Sequence, residues 1–177
     1  PYGYDPERFA VCGCSSGGNL SLSLGISDAA CIYNVGENLD VSGQVQRVVD
    51  YFGPADFKIW FERGAREAID CVHFAFRVER KISECADPSV PEYAALLDLA
   101  KKYSPITYVD ADYAPTIILQ GTADRIFPAS QSALMYAAIV LAGVKTRLLM
   151  TTDGVHDPKT LGPTDAQSAA IFEFLGW

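Results

Sequence analysis

The chain contains almost no histidine and no apolar run long enough to cross a membrane. Two of its 177 residues are histidine, so a site that needs an imidazole has only two candidates. No hydrophobic run reaches the ~20 residues of a membrane-spanning helix. The first residues, P-Y-G-Y-D, lack the basic start and apolar core of a signal peptide. We therefore expect no membrane association and favour the cytoplasm as the compartment.

Basic residues are outnumbered by acidic ones. There are 14 Lys and Arg against 22 Asp and Glu, which gives a formal net charge of −8. Nucleic acids and anionic membranes bind basic surfaces, so this charge argues against both as partners. An acidic surface suits a neutral or cationic small substrate instead.

Metal-binding cysteine patterns are also missing. The number of cysteines is odd, and no C-x-x-C pair or Cys/His cluster has the spacing of a zinc site. Buried free thiols in a reducing compartment are the favoured interpretation, and a disulfide between two of them is the alternative. The five are Cys12, Cys14, Cys31, Cys71 and Cys85.

The length and composition allow one buried core. A chain of 177 residues with 49% hydrophobic content is enough for a single domain, 1–177. Patterning predicts strands at 8–12, 45–52, 115–120 and 145–150, and helices at 18–24, 93–102, 129–142 and from 164. This alternation implies parallel crossovers, and hence an α/β fold: a three-layer α/β/α sandwich around a mostly parallel sheet.

Apolar spacing predicts which side of each later helix is buried. The predicted core-facing residues are Tyr93, Leu96, Leu97 and Ala100, then Leu134, Ala137, Ala138 and Leu141, and finally Ile171, Phe172 and Leu175. The strand at 115–120 is continuously β-branched and aliphatic, which is typical of a strand buried on both faces.

Residues 55–108 differ from the rest in being rich in aromatic and charged side chains. We interpret this segment as a helical cap or insertion. Trp60 and Phe61 are candidate walls of a substrate pocket. The simpler alternative, which we favour, is that these two side chains attach the cap to the sheet.

A nucleophile elbow is the most informative motif. Residues 13–17, G-C-S-S-G, match G-x-S-x-G and lie between a predicted strand and a predicted helix, the context that exposes a serine hydroxyl above a sheet. The turn is strained, and glycines avoid clashes there. An ordinary Gly/Ser turn is the alternative, so the motif needs support from elsewhere in the chain.

Two candidate partners follow later strands. Asp124 lies just past the strand at 115–120, and His156 lies in the loop after 145–150. Parallel sheets carry their active groups at these carboxyl ends. The order Ser15, Asp124, His156 is that of a nucleophile–acid–histidine triad on such a sheet.

Each partner has an alternative. Asp153 and Asp157 are closer to His156 in sequence, but sequence neighbours do not generally orient an imidazole from behind, so Asp124 is preferred. Asp124 is also compatible with a simple turn. His73, the other histidine, falls in the aromatic stretch of the insertion, where a packing or surface role is more typical.

These residue types fit acyl transfer. A neutral His156 accepts the proton of the Ser15 hydroxyl during attack and later gives it to the leaving group, while a buried carboxylate stabilises the imidazolium. The backbone N–H of Ser16 would donate one hydrogen bond to the oxyanion. The reaction needs neither a metal nor an organic cofactor.

Five segments occur in the order of a known family and together cover nearly the whole chain. They are residues 4–11, near D-P-x-R-I-x-V; 13–20, near G-x-S-A-G-G-[HN]-L; 51–56, near Y-G-P-x-D; 103–109, near S-P-I-x-Y; and 115–128, near P-T-L-I-x-H-G-x-x-D-x-x-V-P. The chain therefore resembles the α/β-hydrolase superfamily, in particular its acetyl-esterase, carboxylesterase and carbohydrate-esterase-like branch.

The chain also departs from that family. Ser16 replaces the usual alanine, and Asp157-Pro158 follow the histidine. The upstream strands and their H-G-G loop, which the resemblance implies as the source of a second oxyanion donor, do not occur in these residues. The strand before Ser15 would then be an unpaired apolar edge. We expect an absent N-terminal segment, a companion chain or self-association to cover it, and weak or no activity without that cover.

The predicted function is a serine esterase that acts on short acyl groups, acetyl in particular, with carbohydrate as one substrate class. A prolyl-oligopeptidase-like serine peptidase shares the triad order and is one alternative. A catalytically inactive hydrolase fragment that serves as an interaction module is another. The acyl specificity, the alcohol moiety and the oligomeric state do not follow from the fold class.

Overall fold

The computed structural model describes residues 3–5, 7–62, 89, 91–162 and 164–176. Its centre is a sheet of four strands in the order β1-β2-β3-β4, and every neighbouring pair is parallel. The strands are β1 (Ala10–Cys14), β2 (Arg47–Tyr51), β3 (Thr116–Gly121) and β4 (Thr146–Thr151). Because all four strands are parallel, their carboxyl ends lie at one edge of the sheet.

Helices connect the strands. Those in the described part of the chain are α1 (Ser16–Leu24), α2 (Phe57–Glu62), α3 (Pro91–Lys102), α4 (Ser130–Leu141) and α5 (Thr164–Leu175), with 3-10 turns at Pro105–Tyr108 and Pro158–Thr160. The predicted α/β class is confirmed, and the element bounds differ from the predicted ones by a few residues. The largest difference is β1, which runs on through Gly13 and Cys14 to the residue before Ser15.

Apolar clusters on both faces of the sheet give the three layers. Adjacent β2 residues point to opposite sides, so Val48 belongs to one cluster and Val49 to the other. The first cluster contains Leu22 of α1 and Met135 of α4, and the second contains Phe174 of α5. Strand β3 is buried along its whole length, as its aliphatic run predicts.

The buried sides of the helices match the predictions only in part. In α3, Leu96 and Ala100 are buried as predicted. In α4 the predicted stripe is wrong, because Leu141 is 87% exposed and the buried residues are Gln131, Ser132, Met135 and Ile139. In α5, Phe174 is buried, whereas the predicted Phe172 is 66% exposed. The α4 error has a physical cause: two of its core positions are polar residues whose partners come from other segments.

Strand β1 is an edge strand in the described sheet, since only β2 pairs with it. Its alternate residues Ala10, Cys12 and Cys14 are exposed. The three cysteines within the described residues, which include Cys31, are free. The prediction of free thiols is met for these three, but Cys12 and Cys14 are not buried, because they lie on the edge strand of the described sheet.

The predicted insertion is described only at its two ends, by α2 and by α3, which pack against each other. Residues 63–88 and 90, which include His73, Cys71 and Cys85, lie outside the described residues. The single-domain organisation and the cap at 55–108 therefore stay predictions.

Candidate active site

Ser15 lies in the tight turn between β1 and α1. Its backbone has φ 59° and ψ −123°, a strained conformation for a residue with a side chain. The Ser15 N–H donates to the Tyr51 carbonyl at 2.9 Å, which attaches the turn to β2. A methyl group at Gly13 would lie 2.1 Å from the Gly17 carbonyl oxygen, so the chain can double back here only with glycine. At Gly17, a methyl group would meet nothing within 4 Å in the described structure apart from its own helix.

The structure brings the three predicted site residues together. His156 Nε2 lies 2.9 Å from Ser15 Oγ, and His156 Nδ1 lies 2.8 Å from Asp124 Oδ2. A carboxylate can only accept, so Nδ1 carries the proton and Nε2 accepts the hydroxyl proton of the serine. The Asp124 side chain is fully buried and that of His156 is 15% exposed. Residues separated by 141 positions thus form one continuous hydrogen-bonded row.

The Asp124 carboxylate is held from several sides. Its Oδ1 accepts the N–H groups of Ile126 and Phe127 at 2.8 and 2.9 Å. Its Oδ2 also accepts from the Gln120 side chain at 3.3 Å. These bonds fix the carboxylate so that Oδ2 faces the imidazole.

The two competing aspartates are elsewhere. Asp157 accepts the Lys159 N–H at 2.9 Å and begins a 3-10 turn. Asp153 is exposed in a left-handed turn, with φ 58°. The bond to His156 Nδ1 comes instead from Asp124, whose loop follows the neighbouring strand β3.

Two buried aromatic rings contact the imidazole, and sequence reasoning missed both. The ring centroid of Phe52 is 4.4 Å from that of His156, and the centroid of Phe127 is 5.2 Å away. Both phenylalanines are almost fully buried. Phe52 directly follows β2, and Phe127 lies in the loop after β3. This position after a parallel strand is the sequence feature that could have predicted their place at the carboxyl edge of the sheet.

A buried acid beneath the elbow was also missed. Asp50 has no exposed surface, and its burial raises the pKa to about 7 from the usual 3.8. Its Oδ1 accepts the Gly53 N–H at 2.9 Å, whereas its Oδ2 finds no hydrogen-bond partner among the described residues. Gly18 of α1 packs directly on this carboxyl, since a methyl group there would lie 2.2 Å from Oδ1.

The structure gives less detail for the other predicted site residues, Ser16, Trp60 and Phe61. Ser16 begins α1, so its N–H is one of the donors that intrahelical bonds leave open. Trp60 and Phe61 lie in α2, but their side chains fall outside the described part.

A groove of about 880 Å³ runs beside α1, lined by residues such as Leu20, Leu24 and Tyr103. None of the triad residues lines it, so the hydrogen-bonded row and not this groove marks the candidate centre.

The described residues contain no group of three or more His, Cys, Asp or Glu side chains that could hold a metal ion. No described helix is both long enough and apolar enough to cross a bilayer.

Known proteins with similar sequences and structures support the α/β fold and the esterase branch that the sequence predicts. Esterase LipQ of Mycobacterium tuberculosis is 26% identical in an alignment 179 positions long, which covers 99% of this chain and 39% of LipQ. A truncated form of a carbohydrate esterase from gut microbiota superposes with a TM-score of 0.67 and 26% identity, over 99% of this chain and 62% of that one. A puromycin-hydrolysing peptidase of M. tuberculosis shares the fold, with a TM-score of 0.66 and 20% identity, over 97% of this chain and 22% of its own.

The chain therefore spans less than two thirds of the proteins it matches. The BD-FAE family model matches residues 1–139, which run from the start of the chain through the elbow and the acid loop to α4. Because the family model matches these residues, and because the chain shares its α/β-hydrolase fold with esterases, the chain belongs to the BD-FAE family.

Proposed function

We propose that this chain carries the reaction centre of a serine hydrolase that cleaves short-chain carboxylic esters, of the acetyl type. The single observation that carries the proposal is the row from Ser15 Oγ through the His156 imidazole to the Asp124 carboxylate, with steps of 2.9 and 2.8 Å. A hydroxyl paired with an oriented base in this way is an activated nucleophile.

The chemistry follows from the atoms in this row. Ser15 Oγ attacks the ester carbonyl as its proton moves to His156 Nε2, and the positive imidazole is stabilised by Asp124. The imidazolium then protonates the departing alcohol, which leaves an acyl-enzyme on Ser15. Water, deprotonated by the same nitrogen, releases the acid and restores the serine. The Ser16 N–H, at the start of α1, is the donor we propose for the oxyanion.

An ester substrate is favoured over a peptide by the named relatives. LipQ and the gut carbohydrate esterase are both called esterases and are 26% identical to this chain. The second of these names supports acyl groups on carbohydrate as one substrate class. The peptidase neighbour, at 20% identity, shows the fold alone.

The free edge of β1 bears on how active the chain can be. Its unpaired backbone groups and its exposed Cys12 and Cys14 form a surface that another strand could join. We infer that a further segment, a companion chain or a second copy covers this edge in the working enzyme. One oxyanion donor is worth about 10²–10³ in rate. The Ser16 N–H is the one donor that we assign among the described residues, so we expect slow turnover until this edge is covered.

Labelling by a fluorophosphonate tests the proposal without requiring efficient turnover. The probe should react with Ser15, and p-nitrophenyl acetate should be hydrolysed faster than a prolyl-peptide substrate. Ser15→Ala should abolish both reactions, whereas Ser21→Ala is a matched serine control, since the Ser21 hydroxyl donates to the Gly17 carbonyl within α1. Unlabelled Ser15, with ester hydrolysis unchanged in Ser15→Ala, would contradict the proposed chemistry and favour an interaction module.

A further inference from the structure

Two hydrogen bonds at opposite ends of an imidazole do not fix the ring completely. His156 is bonded through Nδ1 to Asp124 and through Nε2 to Ser15. The ring is attached to the backbone only through Cβ, so small rotations about the Cα–Cβ and Cβ–Cγ bonds still tilt it and bend the two hydrogen bonds. Hydrogen bonds weaken as they bend, so the row needs contacts on the faces of the ring.

Phe52 makes the shorter of the two ring contacts to His156. The centroids are 4.4 Å apart and the planes are inclined by 52°, at the close end of the range for interacting rings. The phenylalanine side chain is 1% exposed. It belongs to the cluster of Val49, Ile117 and Phe174 on one face of the sheet, so packing on its far side holds it in place.

The backbone of Phe52 is in an unusual conformation. Its φ is +46°, in the left-handed region that favours glycine and costs energy for a bulky side chain. Nothing about the turn itself calls for an aromatic residue, since glycine or asparagine would adopt this φ more easily. Strain of this kind persists where the surrounding structure enforces it, and it gathers at functional sites. An aromatic residue therefore occupies this position although its backbone conformation is unfavourable for one.

The loop that carries Phe52 is bonded to the elbow that carries Ser15. The Phe52 N–H donates to the Leu119 carbonyl, and the Ser15 N–H donates to the carbonyl of Tyr51, one residue earlier. The Asn19 side chain of α1 donates to the Pro54 carbonyl at 2.8 Å. The ring beside His156 and the hydroxyl that faces it are thus held by the same backbone.

We propose that Phe52 is a positioning residue of the triad, which fixes the plane of the His156 imidazole so that Nε2 stays directed at Ser15 Oγ. The proposal rests on the proposed hydrolase function. It explains why a strained position holds an aromatic ring. In this proposal Phe52 acts through its contact with the His156 ring.

The test compares two buried phenylalanines of one cluster. Phe52→Leu keeps apolar volume and removes the ring, Phe52→Tyr keeps the ring, and Phe174→Leu is the matched control on α5, whose Phe174 ring packs under the Lys145 ammonium. We expect Phe52→Leu to lower kcat about 10- to 100-fold with KM changed less than about twofold. We expect Phe52→Tyr to retain most of kcat, and Phe174→Leu to lose stability with kcat unchanged. If Phe52→Leu does not fold, Phe52→Met, whose flexible chain fills irregular space, replaces it.

A spectroscopic readout separates this inference from the proposed function. The proton between His156 Nδ1 and Asp124 should give a downfield proton NMR signal that Phe52→Leu broadens or shifts and Phe174→Leu preserves. Equal kcat and equal NMR signals in the two leucine variants would overturn the positioning role and leave the hydrolase proposal standing. If Ser15 of the wild-type protein is not labelled, while the NMR signal still changes in Phe52→Leu and not in Phe174→Leu, the hydrolase proposal alone would be overturned.

Discussion

The buried carboxyl of Asp50 makes the stability of this protein depend on pH. Its pKa rises from 3.8 to about 7 on folding because burial disfavours the charged form, and the single hydrogen bond from Gly53 offsets this only in part. Below about pH 4 the group is protonated in the folded and unfolded states alike, so it carries no charge penalty. Between about pH 4 and 7 the unfolded chain releases the proton and the folded chain retains it. The contribution of Asp50 to the free energy of unfolding therefore falls through this window and levels off above about pH 7.

The size of the effect follows from the two pKa values. Each pKa unit corresponds to about 1.4 kcal/mol, so the rise from 3.8 to about 7 gives on the order of 4 kcal/mol of lost stability at pH 8. The charge on Asp50 also contributes to raising the pKa of Cys12, Cys14 and Tyr113, but these groups are neutral throughout this window.

Asp50→Asn should remove this pH dependence. The amide oxygen can still accept the Gly53 N–H, while no charge forms in the buried site. Urea unfolding followed by circular dichroism from pH 4.5 to 8 gives the free energy of unfolding of each protein. The difference between variant and wild type should shift in favour of the variant by about 3 kcal/mol across this range, since part of the effect is already present at pH 4.5. Asp98→Asn, which changes an exposed carboxyl on α3, is the matched control. Parallel curves for wild type and Asp50→Asn would refute the reasoning.

Two further substitutions test the site and the turn. Asp124→Asn leaves His156 without its charged partner and should lower kcat by about 10⁴-fold with circular dichroism unchanged; a loss below tenfold would mean that the carboxylate does not orient the base. Gly13→Ala places a methyl group 2.1 Å from the Gly17 carbonyl oxygen and should cost about 2–4 kcal/mol in thermal or urea unfolding. The matched Gly17→Ala points into open space and should be nearly neutral, so equal losses in the two variants would contradict the steric argument.

The sheet and the row of site residues could be predicted from the sequence because both depend on local patterns. A run such as that of β3 has few other ways to bury its side chains, and a serine between glycines after a strand restricts the turn to a few shapes. The carboxyl ends of parallel strands meet, so the loops that hold Asp124 and His156 were expected to converge near Ser15. The structure places all three within hydrogen-bonding distance of one another along the row.

The remaining features could not be predicted because they depend on partners distant in sequence. Gln131 occupies a core position of α4 since its side-chain oxygen accepts the N–H groups of Ala55 and Asp56, some 75 residues away. Apolar periodicity therefore cannot predict that such a glutamine is buried. In the sequence, Asp50 is likewise a single polar residue in a strand. Only the packing of α1 against it in the structure shows that it is fully buried.

The matching order of strands in the chain and in the sheet has a consequence for folding. The Ser15 hydroxyl follows β1, whereas the imidazole of His156 follows β4 at the opposite side of the described sheet. The hydroxyl therefore has no base beside it until β4 has paired with β3. A chain in which β4 has not docked would carry an unactivated serine, so reactivity of Ser15 would report that the sheet is complete.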